Sequence, residues 1–170
     1  TLAQLNPTVG DLSGNAAKAK RAWDEAKAAG ADMVVLPEMF ITGYQTQDLI
    51  MKPAFAEAAL AAIEALAKAC ADGPTLGIGG PVREEGQLYN GYLICEGGAV
   101  VHRILKRERP NDGVFDEVRL YAEGPVQGPY SVNGLRVGTP ICEDAWHPEV
   151  AEALAETGAE ILLVPNGSPY

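Results

Sequence analysis

Three side chains with complementary chemistry stand at or just past the ends of apolar runs. Glu38 follows Val34-Val35-Leu36-Pro37, Lys106 follows the run from Val100 to Leu105, and Cys142 follows the run from Val137 to Ile141. Loops at strand ends are where α/β folds assemble sites, because a rigid sheet holds them in place. A carboxylate, an ammonium and a thiol suffice for amide hydrolysis. The thiol would attack the carbonyl carbon and form a thioester. The carboxylate would take the thiol proton, pass it to the leaving amine and then activate water. The lysine would stabilise the tetrahedral oxyanion, with help from a backbone N–H beside the cysteine. A helix is expected to begin near His147-Pro148-Glu149, and a thiol at such a strand-to-helix junction is biased toward the reactive thiolate by the helix dipole. Each residue also has a plainer reading: a small buried hydrophobe for Cys142, a solvated loop carboxylate for Glu38, a surface lysine for Lys106. Their joint placement favours chemistry, although spacing alone does not bring them together.

The elements that must position these residues follow from periodicity and punctuation. Leu2 to Asn6 reads as a first strand. A helix capped by Ser13 or Asn15 runs to about Ala29, with Ala22, Trp23, Ala26 and Ala29 on an apolar face and Gly30 ending it. Met33 to Leu36 is a buried strand closed by Pro37, and an alanine-rich helix follows from Pro53 to about Ala71. Thr75 to Pro81 is a glycine-containing strand. Gln87 to Cys95, Gly97-Gly98 and Ala99 to Leu105 form a hairpin, and Lys106 to Glu117 is a polar loop. Tyr130 to Val132, Asn133-Gly134 and Leu135 to Ile141 form a second hairpin. Glu149 to Glu156 is a short helix, and Ile161 to Val164 a last strand. This mixture predicts a layered α/β architecture with mixed sheets.

The chain has 170 residues and a formal charge of −10. It is long enough for one domain with a sizeable core. The charge argues against binding nucleic acid through phosphates and weighs against an anionic membrane surface. Three dispersed cysteines match no zinc pattern, and no metal site is expected; they suggest a reducing, cytoplasmic setting with Cys70 and Cys95 as packing residues. No export signal is visible at Thr1-Leu2-Ala3-Gln4-Leu5. Starting directly in a strand pattern and stopping at Pro169-Tyr170, the chain reads as a fragment. It is therefore expected to be inactive or poorly stable in isolation. His102 and His147 have no metal-ligand company, and Gly77-Ile78-Gly79-Gly80 lies within a strand with no lysine behind it, so it is no phosphate loop.

Three motifs carry a resemblance. Leu36-Pro37-Glu38-Met39-Phe40-Ile41-Thr42-Gly43-Tyr44, Lys106 ahead of its loop, and Ile141-Cys142-Glu143-Asp144 resemble the signatures of the carbon–nitrogen hydrolase (nitrilase) superfamily. Asn6 to Asp11, Pro110 to Glu117 and Cys142 to Trp146 resemble one branch of it, the N-terminal glutaminase domains of glutamine-dependent NAD synthetases. The likeness runs through essentially the whole chain, in order.

The resemblance implies a four-layer αββα sandwich, truncated here at its C-terminal end. It implies Glu38 as general base and acid, Lys106 as oxyanion lysine and Cys142 as nucleophile. It also implies contact with L-glutamine through Tyr44, Glu143, Trp146 and Ser168. The chemistry agrees: a carboxylate can hold an α-ammonium, an indole can wall a pocket and a hydroxyl can meet polar groups. Arg109 and Asp112 stand where the family loop usually has leucine and a glutamine-contacting tyrosine, so Asp112 would either meet the α-ammonium or face solvent. Ammonia would pass to an ATP- and Mg-using synthetase domain that this chain lacks, and the full-length enzyme would be a homo-oligomer. A free-standing amidase or nitrilase acting on another small amide, and a non-catalytic assembly module, are the alternatives.

Overall fold

Alternating side-chain direction along a strand decides what each residue of this chain meets. In the computed structural model, which describes residues 1–167, β1 (Met33–Val35), β2 (Thr75–Glu84), β3 (Gln87–Glu96) and β4 (Ala99–Leu105) form a sheet in the order β1-β2-β3-β4. The β1–β2 pair is parallel and the others antiparallel. A second sheet has the order β5 (Tyr130–Val132), β6 (Leu135–Gly138), β7 (Ile161–Leu162), with β6 parallel to β7.

One face of the first sheet presents Val34, Leu76, Ile78, Leu93, Cys95 and Leu105 to helices α1 (Leu12–Ala28) and α2 (Pro53–Ala69), which contribute Trp23, Ala59, Ile63 and Leu66. Its other face presents Tyr92, Ile94 and Ile104 to Tyr130, Val132 and Val137 of the second sheet. Val137 points inward, so its neighbour Gly138 points outward, where the Leu154 methyls of α4 (Pro148–Glu156) close over it. The layers are therefore α, β, β, α, as the sequence motifs implied.

Several boundaries differ from expectation for local reasons. The N-terminal strand reduces to one bridge between Leu2 and Val35, the last residue of β1. Asp11, not Ser13 or Asn15, caps α1 by accepting the Gly14 N–H at 2.8 Å. Asn15 is buried instead and bonds the backbone of Thr8 and Ile41. β2 runs past Pro81 to Glu84 and turns directly into β3, with Glu85 and Gly86 both at positive φ. β6 ends at Gly138 and β7 at Leu162, each short of the apolar run that carries it. A one-turn helix, α3 (Glu117–Leu120), closes the polar loop after Lys106.

Candidate active site

The ladder between β3 and β4 ends at Gly91 opposite Leu105, and one more bond, from the Lys106 N–H to the Asn90 carbonyl at 2.9 Å, sets Lys106 opposite Asn90. Both side chains share the parity of Tyr92 and Ile104, so both leave toward the space between the sheets. Lys106 is fully buried and Asn90 nearly so. The plain surface-lysine reading fails here.

Glu38 reaches the same space by a different route. Past β1 the chain stays bonded to β2 through Leu36 N–H to Gly77 O and Ile41 N–H to Gly79 O, at 2.9 and 3.1 Å. The turn that carries Glu38 lies so close on β2 that a Cβ at Gly79 would fall 2.1 Å from the Met39 nitrogen. Above Gly77 the missing side chain makes room for the Tyr92 ring, whose hydroxyl donates to the Leu36 carbonyl at 2.8 Å. The glycines of β2 thus serve close backbone packing under the Glu38 turn.

Glu38 and Glu117 flank Lys106. The ammonium donates to Glu38 Oε1 at 2.7 Å and to Glu117 Oε1 at 2.8 Å. Asn90 Nδ2 donates to the same two oxygens at 2.8 and 3.3 Å. Burial works against the lysine's charge, but the two carboxylates outweigh it and push its pKa up to about 12. A permanently charged lysine cannot act as the base. Burial raises the Glu117 carboxyl, although Lys106 partly offsets this, and Glu117 Oε2 has no partner among the described residues. Tyr44 donates its hydroxyl to Glu117 Oε1 and packs edge-on against Phe115 at 5.8 Å. Burial, reinforced by the charges of Glu38 and Glu117, holds that phenol far above its ordinary range, so it acts as a donor.

Cys142 is buried on the same inter-sheet core as Tyr92 and Ile104. The helix α4 starts at Pro148, as expected, but it does not follow the strand directly: residues 139 to 141 have left β6, and Cys142 itself begins a 3-10 turn (Cys142–Trp146) ahead of α4. Cys142 has φ +48°, a left-handed conformation that costs a non-glycine residue about 1–3 kcal/mol and recurs at functional sites. Two tethers register it against the charged cluster. The segment after β7 accepts the Cys142 N–H on Pro165 O at 3.0 Å and, two residues on, donates the Gly167 N–H to Glu38 Oε2 at 2.7 Å. Asp144, buried, accepts from the Ile141 N–H at 3.0 Å and from the N–H groups of Arg107 and Glu108 at 3.1 and 2.7 Å. That carboxylate joins the residue before Cys142 to the two residues after Lys106. Burial raises its pKa, against the pull of those N–H donors.

An open cleft has Leu5, Pro7, Glu38, Tyr44, Asn166 and Gly167 on its wall, and of the residues expected to contact substrate Tyr44 alone is on that wall among the described residues. Glu143 is half-buried and lies 3.6 Å from His147. Trp146 is 77% exposed and therefore does not pack the start of α4. Asp112 is exposed on a turn closed by its carbonyl and the Phe115 N–H. Arg109 bonds the Tyr121 carbonyl and Glu123. Ser168 lies outside the described residues. Among the described residues no three His, Cys, Asp or Glu side chains group to hold a metal ion, and no helix is long and apolar enough to cross a membrane.

Sequence reasoning missed Asn90, Glu117 and the tethering role of Asp144. Asn90 had one signal: an amide set amid the apolar run from Leu88 to Cys95, on the face shared with Tyr92. Glu117 and Asp144 looked like ordinary loop carboxylates until tertiary contacts buried them.

The sequence profile of the carbon–nitrogen hydrolase family matches residues 1–170. The glutamine-dependent NAD(+) synthetase of Rhodobacter capsulatus is 59% identical over 170 residues, which cover all of this chain and 31% of that protein. Its counterpart in Thermotoga maritima is 33% identical over 172 residues, covering 100% of this chain and 30% of that one. Among solved structures, the glutamine-dependent NAD+ synthetase of Acinetobacter baumannii matches with a TM-score of 0.90 at 30% identity, over 99% of this chain and 32% of that chain. An amidase from Nesterenkonia sp. matches with a TM-score of 0.84 at 23% identity, over 97% and 63% of the two chains, a likeness of fold alone. This chain spans about a third of the length of the synthetases it matches.

Proposed function

We propose that this chain, which belongs to the carbon–nitrogen hydrolase family, is the glutamine-hydrolysing part of a glutamine-dependent NAD synthetase. The observation that carries the reading is the buried Glu38–Lys106–Glu117 cluster, tied through Gly167, Pro165 and Asp144 to a cysteine held at positive φ. Identity of 59% to a glutamine-dependent NAD(+) synthetase supplies the substrate and the wider role.

In this reading the Cys142 sulfur attacks the carboxamide carbon of L-glutamine while Glu38 takes the thiol proton. Charge develops on the carbonyl oxygen. An ammonium has three donors, and with two given to Glu38 and Glu117 the third can face that oxygen. Collapse of the tetrahedral intermediate breaks the C–N bond, and Glu38 returns the proton to the leaving nitrogen, releasing ammonia. Water, deprotonated by Glu38, then cleaves the thioester to glutamate and restores the thiol. The Cys142 N–H is already given to Pro165, so any backbone help for the oxyanion comes from a different N–H. Tyr44, Glu143, Trp146, Asp112 and Ser168 are the candidates for holding the glutamine. Tyr44 lies on the cleft wall, and the half-buried Glu143 suits an α-ammonium. An exposed Asp112 is better placed for solvent than for that contact.

The ammonia would be used by an ATP- and Mg-dependent synthetase domain outside this chain, within a cytoplasmic homo-oligomer, to amidate deamido-NAD. The glycines of β2 are packed against by Tyr92, Met39 and Ile63, so that stretch offers no cradle for phosphate. Cys142→Ala in the full-length protein tests the reading. Glutamine-driven NAD formation should be abolished and ammonia-driven formation kept; survival of both would remove Cys142 as nucleophile.

A further inference from the structure

Asn90 takes part in no bond-making step, yet it touches every charged member of the cluster. Its backbone carbonyl holds the Lys106 N–H at 2.9 Å. Its Nδ2 gives one proton to Glu38 Oε1 and the other to Glu117 Oε1, the two oxygens that Lys106 also binds. Carboxylate oxygens that already accept from an ammonium leave the amide only the donor role, so its orientation is fixed by its partners. Amide and ammonium form a closed square of two donors and two acceptors.

The remaining amide atom, Oδ1, is buried without a partner among the described residues. An orphaned buried acceptor lowers stability, and an apolar side chain of similar shape would avoid the loss. Stability alone therefore does not account for an asparagine in the middle of β3. Its effect is geometric. Glu38 and Glu117 repel each other, and one neutral donor shared between them keeps both Oε1 atoms turned toward Lys106. Glu38 Oε2 is then left to Gly167 and the cleft.

We propose that Asn90 is a positioning residue that clamps Glu38 and Glu117 together around Lys106, fixing the direction in which Glu38 presents its second oxygen, Oε2, for proton transfer with the thiol. This rests on the amidohydrolase reading of the site. The charged or titratable groups facing residue 90 are Glu38 from the turn after β1, Lys106 from the end of β4, Glu117 from α3, and Tyr44 behind Glu117.

The test uses glutamine hydrolysis by the full-length protein, read as glutamate release across pH. Asn90→Leu fills the space and removes both donors. It should leave the melting temperature unchanged or raised, lower kcat by about 10²-fold and leave KM within a few-fold, the pattern of a misdirected base. Asn90→Asp is nearly isosteric, and only its protonated form has an O–H to donate. Its activity should be displaced toward acid pH relative to the wild type. Wild-type kcat in Asn90→Leu with a wild-type pH profile in Asn90→Asp would overturn the proposal. So would parallel losses of melting temperature and activity with no displacement in pH. If Asn90→Leu fails to fold, the Asn90→Asp profile decides alone. Cys142→Ala separates the two levels: glutamate release surviving that change would sink the amidohydrolase reading itself, whereas its loss alongside normal Asn90 variants would sink only the clamp.

Discussion

The Lys106 ammonium lies 2.7 Å from Glu38 and 2.8 Å from Glu117, with all three side chains almost wholly removed from water. Two negative groups share one positive group in a low-dielectric space. Such a cluster is costly to assemble and more costly to break from one side, because removing the cation leaves like charges facing each other.

Lys106→Met should therefore destabilise the full-length protein by about 3–5 kcal/mol, as well as abolish glutamine hydrolysis. Adding Glu38→Gln and Glu117→Gln to Lys106→Met should recover much of that stability without recovering activity. Thermal melts and glutamate release measure the two effects. If the single change left the melt unaltered, the buried pairs would not exist as described.

Glu117 gives a pH dependence with a defined sign. Burial raises its folded-state pKa above the ordinary 4.5, so between those two values the folded protein binds more protons than the unfolded chain. Stability then falls as pH rises through that window. Lys106 does not interfere, since its contribution is fully present below its ordinary pKa and is lost only as pH climbs through about 12. In Glu117→Gln the falling component should disappear, and the difference in melting temperature between variant and wild type should change steadily from pH 4.5 upward. A constant difference across that range would refute the assignment.

Positive φ at Cys142 makes a prediction independent of catalysis. Alanine and glycine both remove the sulfur, but only glycine adopts φ +48° without steric cost. Cys142→Gly should be more stable than Cys142→Ala by about 1 kcal/mol in paired melts of the full-length protein. Equal stabilities, or the reverse order, would argue against a left-handed conformation at this residue.

Two neighbouring glycines should respond differently to alanine. At Gly79 the new methyl would meet the backbone of the Glu38 turn, whereas at Gly80 it would meet side-chain methyls, Cδ1 of Ile63 and Cγ2 of Ile41, and no backbone atom of that turn. Gly79→Ala should displace Glu38 and cost about 10²-fold in kcat, with Gly80→Ala causing a much smaller loss. Steady-state kinetics on both variants decides the point, and equal losses would count against this packing.

What sequence alone determined was local and periodic. Strand parity, the glycine and proline stops and the two hairpin turns follow from steric limits acting over a few residues, which is why five of the seven strands lie within the runs that predicted them; β2 runs three residues past its own and β3 one. The reactive residues at strand ends could be named for the same reason, each being read from its own neighbours. Tertiary structure decided the rest. Lys106 and Glu38 are buried only because β4 and the turn after β1 meet between two sheets, and Asn90 and Glu117 become partners of that pair across 52 and 79 residues from Glu38. Cys142 looked like the start of a helix-dipole site, but its position is set by Pro165 and Asp144, and its backbone is held in a conformation that no propensity favours. Burial of charge and strain at a cysteine are paid for by contacts distant in sequence, so no local reading of the chain contains them.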